Sequence, residues 1–319
     1  GYEFPVHDAL STFAIDVDTA SYTLARRYLK DGYLPERAQI RTEEFVNYFT
    51  PDLAAPTDGS VFSIGMELAP SPFGPDVATG GDHQLLRVGL RGMEIGKDER
   101  DPLALTFVVD VSGSMKEQNR LELVKHALRL LVSELKPDDQ VAIITFNNDA
   151  RRVLDMTSAA DAAAIETALF GMSPDGGTNA EAGLRLGYEE AVLGHTPGSV
   201  NRVVFLSDGV GNIGETNENA LLDDVRRARE KGIYLNTIGV GMGNHNDRFL
   251  EQLANGGDGL CNYVDGPEEA KRALVDNFTG AFQPIARDVK IQVEFDPATV
   301  KTYRLAGYEN RAVADEDFR

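Results

Sequence analysis

The chain has 319 residues, 42% of them hydrophobic and 26% charged, which is the balance of a soluble globular protein with room for two domains. Its formal net charge of -20 argues against nucleic acid and anionic membrane surfaces as partners, because both would be repelled. No apolar run approaches the roughly 20 residues of a membrane-spanning helix, GYEFPVHDAL lacks an export-signal pattern, so that such a signal is absent or already removed, and the single cysteine, Cys261, excludes an intrachain disulfide.

Residues 1–52 read as a helical extension. Asp18 or Thr19 can cap a helix through Tyr22, Leu24, Ala25, Tyr28 and Leu29, which Gly32 and Pro35 stop. TEEFVNYF is a second short helix ending at Pro51, and TPDLAAPTDGS follows as a linker. Between residues 61 and 95, FSIGMEL and HQLLRVGLRGMEI are strand-like with no helix between them.

From Asp101 strands and helices alternate. LALTFVVD precedes a helix with Leu121, Val124, Leu128, Leu131 and Leu135 on one face. QVAIITF and RRVLDM form a hairpin, and helices follow around 158–171 and 179–193. NRVVFLSD, ENALLDDVRRAREKG, IYLNTIGVG, NDRFLEQLANGG, LCNYVD and PEEAKRALVDNF continue the alternation. The fold class expected is α/β, a doubly wound, mainly parallel sheet of six strands with one antiparallel edge strand, spanning residues 101–282. Beyond Pro284, RDVKIQVEFD and VKTYRLAGY return to strand character and need a partner sheet. The nearest unpaired strands lie in 61–95, so residues 53–100 and 283–319 are expected to form a small discontinuous β domain, sandwich-like, into which the α/β unit is inserted.

In a doubly wound sheet, ligands bind where strand order reverses, at the carboxyl ends of the strands. Three segments bring oxygen-bearing side chains there: Asp110-Val111-Ser112-Gly113-Ser114, Gly176-Gly177-Thr178-Asn179, and Ser207-Asp208-Gly209. With no soft ligand nearby, this inventory suits a hard cation with oxygen ligands, Mg²⁺ first, with Mn²⁺ or Ca²⁺ as substitutes. Capping of the following helix is the plainer role for Asp-x-Ser-x-Ser alone; Thr178 and Asp208 weigh against it.

DVSGS, the Thr of GGTN and the Asp of SDG resemble the metal-ion-dependent adhesion site (MIDAS) of von Willebrand factor type A domains, over roughly residues 101–282. The whole chain resembles a bacterial group in which that domain follows an extension like STFAIDVDTASYTLARRYL and precedes strands like RDVKIQVEF. The resemblance implies that Ser112, Ser114 and Thr178 supply hydroxyl oxygens to the metal, and that Asp110 and Asp208 bind it directly or through water. It implies a non-catalytic adhesion or scaffolding protein whose ion captures a Glu or Asp carboxylate of a protein partner, in a bacterial cell envelope, periplasmic or surface-exposed. The rival reading is a Mg²⁺-dependent phosphate-ester hydrolase, for which no nucleophile or general base stands out. A third is an accessory subunit of an ATP-driven or metal-inserting complex.

Other signals are weaker. In FAIDVDTAS, Asp16 and Asp18 approach the Asp-x-Asp-x-Thr pattern of aspartate-nucleophile phosphatases, but Thr19 adjoins Asp18 where that pattern needs a hydroxyl at Ala20. Helix capping is the preferred role. Gly209 to Gly214 spells G-x-G-x-x-G, yet the next strand does not end in the acid a dinucleotide site requires. His7, His83, His126, His195 and His245 show no ligand spacing, although His245 sits near the strand ends. Cys261 reads as a small buried hydrophobe, Asp223 and Asp224 with Arg226 and Arg227 as a solvated helix face, and Phe146 to Asp149 as a border of the site.

Overall fold

The computed structural model describes residues 2–15, 17–49, 52–73, 83–209, 218–241, 247–276, 278–286, 289–308 and 313–314. The chain begins with β1 (Leu10–Ala14), α1 (Ala20–Lys30), α2 (Thr42–Tyr48), β2 (Phe62–Pro70) and β3 (Gln84–Gly92). The alternating unit opens with β4 (Leu103–Asp110), α3 (Arg120–Ser133), β5 (Gln140–Phe146), β6 (Ala150–Ser158), α4 (Ala162–Phe170) and α5 (Ala180–Leu193). It continues with β7 (Val200–Ser207), α6 (Glu218–Glu230), β8 (Ile233–Val240), α7 (Asp247–Gly256), β9 (Cys261–Val264), α8 (Pro267–Lys271) and α9 (Phe278–Phe282), and β10 (Lys290–Glu294) follows.

One six-stranded sheet has the order β6-β5-β4-β7-β8-β9. All its pairings are parallel except that of β6 with β5, so RRVLDM is the antiparallel edge strand expected from the sequence. β4, β7 and β8 are buried along their whole length, because helices cover both faces of the sheet. On one face Leu105, Phe107 and Val109 meet Val124, Leu128 and Leu131 of α3 and Phe282 of α9. On the other, Val108, Val203 and Phe205 meet Leu184 of α5 and Leu221 and Val225 of α6. Each such side chain contributes about 1.5–3 kcal/mol by leaving water, and this double coverage is why these strands are unbroken apolar runs instead of alternating ones.

The flanks pair differently from the sequence-based expectation. β10 joins β1 in an antiparallel pair, Leu10 opposite Glu294 and Ala14 opposite Lys290, so its partner lies within the stretch read as helix and loop and not in residues 61–95. Tyr303 strengthens this junction: it exchanges backbone hydrogen bonds with Glu3, stacks on Phe295 at 4.2 Å, and its hydroxyl donates to the Leu10 carbonyl at 2.7 Å. Near Tyr303, where VKTYRLAGY was expected as a strand, the chain makes an isolated bridge to Glu3. β2 and β3 pair with each other as a separate two-stranded ribbon.

The chemistry of FAIDVDTAS also differs from the expectation. Thr19 occupies the N-cap position of α1, yet its own side chain makes no capping bond; Glu44 of α2 accepts from the Ser21 amide at 2.6 Å. The Asp18 carboxylate instead accepts from the Cys261 amide at 2.9 Å, and the Thr19 hydroxyl accepts from Arg272 at 3.1 Å. Both side chains therefore tie the N-terminal segment to β9 and the helix after it, where covering an edge strand matters more than closing one helical turn. Asp16 lies outside the described residues.

Candidate functional site

From β4 the chain moves to β5 on one side, and later crosses to β7 on the other, so strand order reverses between β4 and β7. A crevice opens at the carboxyl ends of two strands that diverge in this way. Asp110 is the last residue of β4, and Asp208 follows Ser207 at the end of β7.

Asp110 is fully buried and both its carboxylate oxygens are engaged. Oδ1 accepts from the Ser112 amide at 2.8 Å, and Oδ2 accepts from the Ser207 hydroxyl at 2.7 Å. Burial pushes its carboxyl up to about 6, against the opposing pull of the hydrogen bonds from Ser112 and Ser207, and neighbouring Asp208 adds to the rise. Asp110 thus braces the loop above it and the adjacent strand.

That bracing sets the two hydroxyls. Ser112 Oγ and Ser114 Oγ lie 3.0 Å apart, and Ser114 Oγ donates to Asp208 Oδ1 at 3.1 Å. The other Asp208 oxygen accepts from Arg120, the first residue of α3, at 2.5 Å. The loop carrying Thr178 is tied to the same place by backbone bonds: Gly113 N donates to Gly176 O at 3.0 Å and Asp175 N to Val111 O at 2.8 Å. The turn between β5 and β6 supports it from outside, for Gly177 N donates to Asn148 Oδ1 at 2.7 Å and Asn179 N to Asn147 O at 2.6 Å.

The structure therefore brings all three segments to one crevice, with Asp110, Ser112, Ser114 and Asp208 in a continuous hydrogen-bonded chain and Thr178 on the adjoining loop. Asn147 and Asn148 do border the site, as their position after a strand suggested. Sequence reasoning missed the part of Ser207 in holding Asp110, and it missed Arg120 altogether. For Arg120 the usable signal was a basic residue opening the helix directly after the loop. Residues 210–214 of the glycine-rich motif and His245 lie outside the described residues.

Neutral hydroxyls beside carboxylate oxygens, without a nitrogen or sulfur donor among them, fit a small hard cation. Among the described residues no group of three His, Cys, Asp or Glu side chains could hold a metal, so a soft-ligand centre has no candidate there. The rim of the site is open: Gly113, Lys116 to Asn119, Gly176 and Gly177 are exposed. A cavity of about 490 Å³ lies elsewhere, near the starts of β7 and β8, lined by Asn201, Tyr234, Asp101 and Gln283.

Residues 104–276 match the von Willebrand factor type A domain family. The chain belongs to that family. Two further matches flank the type A domain, one described as von Willebrand factor over residues 2–79 and one as the C-terminal part of uncharacterized protein YfbK over 280–319. Uncharacterized protein YfbK of Escherichia coli is 36% identical over 316 residues, covering 97% of this chain and 54% of the relative. Uncharacterized protein sll0103 of Synechocystis is 33% identical over 58% of this chain and 43% of its own length. The chain thus spans about half the length of these type A relatives. Among solved structures, BatB from Bacteroides thetaiotaomicron is similar at a TM-score of 0.47 and 23% identity, covering 56% of this chain and 98% of that one. Type A domains generally mediate protein–protein interaction.

Proposed function

We propose that this chain is a non-catalytic recognition protein that binds a carboxylate of a protein partner through a divalent cation, Mg²⁺ first and Mn²⁺ or Ca²⁺ as substitutes. The observation that carries this reading is the hydroxyl pair of Ser112 and Ser114, 3.0 Å apart and joined to Asp208, at the crossover of a doubly wound sheet. Ser112, Ser114 and Thr178 would hold the ion with Asp110 and Asp208 behind them, and the ion would supply positive charge to an anionic side chain. Asp110, with both oxygens occupied, orients the Ser112 loop and Ser207. Because the hydroxyls are neutral, much of a bound cation's charge remains available to a partner. The exposed loops around the site suit a protein surface. A cation also explains how a chain of net charge -20 can bind an acidic group, since repulsion beyond roughly 8–10 Å is screened at physiological salt. The bacterial-envelope setting belongs to the same reading; no helix among the described residues is long and apolar enough to cross a membrane.

Titration calorimetry with MgCl₂ tests the site. Wild-type protein should bind Mg²⁺, and Ser112→Ala and Thr178→Ala should each weaken it by at least roughly tenfold, the scale of losing one ligand or its support, while circular dichroism melts stay close to wild type. Unchanged affinity in both variants would overturn the ligand assignment. Mg²⁺-dependent turnover of phosphate esters that Ser112→Ala abolishes would favour a hydrolase instead.

A further inference from the structure

The geometry points to Arg120 as a built-in counter-cation that orients Asp208 and limits how tightly the site holds a metal; this rests on the metal-dependent reading above. Two constraints converge on its guanidinium. The residues before it, Gln118 and Asn119, are consecutive left-handed residues at φ 50° and 57°, a combination that costs energy for side chains other than glycine. This kinked turn delivers Arg120 to the first position of α3. Beyond the end of β8, Gly241 adopts φ +92°, and a Cβ there would lie 2.3 Å from Arg120 Nε. A side chain at position 241 would push the guanidinium out of this place.

Within that space Arg120 is 8% exposed, and its Nε is buried with no hydrogen-bond partner among the described residues. Burying a donor unpaired is unfavourable, so this placement is held by what the other nitrogens gain. One of them donates to Asp208 Oδ2 at 2.5 Å, and the other faces Glu117 at 3.7 Å on the exposed side. Asp208 is thereby divided: one oxygen belongs to Arg120, and the other is turned toward the Ser114 hydroxyl at 3.1 Å. Arg120 is a positioning residue, and its charge has a second consequence. It neutralises a carboxylate hydrogen-bonded to the hydroxyl pair, which lowers the attraction for any added cation and keeps the neighbourhood favourable to an anionic partner.

These two effects predict opposite signs when the charge is removed. Loss of orientation would weaken cation binding, whereas loss of repulsion would strengthen it. The Ser114 hydrogen bond to Asp208 Oδ1 gives the carboxylate a second anchor besides Arg120, so relief of repulsion is expected to outweigh the loss of orientation. Titration of the full chain with MgCl₂ should show Arg120→Gln binding roughly tenfold tighter than wild type, equivalent to about 1.4 kcal/mol. Arg120→Lys, which keeps the charge, should stay within about twofold of wild type. A purely structural arginine would lower the melting temperature in both variants without a charge-dependent gain in affinity. Equal or weaker Mg²⁺ binding by folded Arg120→Gln overturns the inference. A second measurement needs no folded Arg120→Gln: in wild type, the Arg120 Nε–H NMR signal should shift on addition of Mg²⁺ while that of buried Arg202 stays in place. No Arg120 shift in protein that binds Mg²⁺ overturns the inference and leaves the metal site standing. Absence of Mg²⁺ binding by wild type removes both.

Discussion

Asp139 is fully buried, with Oδ1 accepting from Arg100 and the Leu103 amide at 2.8 Å each and Oδ2 accepting from the Lys136 amide at 2.6 Å. This one side chain joins the entry of β4 to the turn before β5. Desolvation alone would raise its pKa, but the hydrogen bonds from Arg100, Leu103 and Lys136 outweigh it and hold the carboxyl below its ordinary value. A depressed folded-state pKa contributes stability that is present above the unfolded value near 3.9 and is lost as pH falls through the folded value. Asp139→Asn should therefore cost about 3–5 kcal/mol at neutral pH by leaving Arg100 buried without its partner. Thermal melts should also show that its stability falls less steeply below about pH 4 than that of wild type. Equal steepness in the two proteins would count against the assignment. At this scale the metal-site candidates were legible, because Asp110, Ser112, Ser114, Thr178 and Asp208 sit in short motifs beside strand ends. The pairing of Arg120 was not, because its partner lies 88 residues away and a basic residue opening a helix does not by itself name that partner.

The elements were read best where both faces of a strand or one face of a helix is apolar. The α3 stripe of Leu121, Val124, Leu128 and Leu131 is buried as its spacing predicts. α5 depends on something less visible. A Cβ on Gly187 would lie 2.3 Å from Val108 Cγ2, so the helix approaches β4 more closely than any side chain would permit. Val108 is fully buried and has one stiff torsion, so it cannot swing aside. Gly187→Ala should destabilise the fold by about 1–3 kcal/mol through overpacking, outweighing the better helix propensity of alanine. Denaturant melts should record this loss while Mg²⁺ affinity remains that of wild type; a gain in stability would contradict the close approach. α1 shows the limit of capping rules, since Asp18 and Thr19 spend their polar groups on β9 and Arg272.

At the scale of the whole molecule, the N-terminal extension is docked on the edge of the type A sheet through charged and polar groups, and its own aromatic side chains cluster behind them. Arg26 of α1 donates to Asp265 at 2.8 Å and to Glu269 at 2.9 Å, both on the far side of the sequence, and to the Tyr48 hydroxyl at 2.7 Å. Tyr22 packs against Phe45, Tyr48 and Phe49 within 5.3 Å. Removing Arg26 leaves the shielded Asp265 carboxylate without its close cation, while Glu269 keeps Arg272. Arg26→Ala should speed amide hydrogen exchange in α1 and β9 by roughly a hundredfold, the equivalent of about 3 kcal/mol for a broken buried pair. Exchange in β4 and β7 should be unchanged. Uniform exchange across all four elements would show that the extension is no separate cooperative unit.

The sequence by itself determined the α/β alternation, the antiparallel edge strand and the oxygen-rich motifs at the strand ends. These are local properties, set by hydrophobic period and by residues within a few positions of one another. Tertiary structure alone decided that β10 pairs with β1, that Asp18 reaches Cys261, and that Arg120 closes on Asp208. Strand pairing and ion pairing between distant segments depend on which edges and charges remain unsatisfied once the core has formed, and no short window of sequence contains that information.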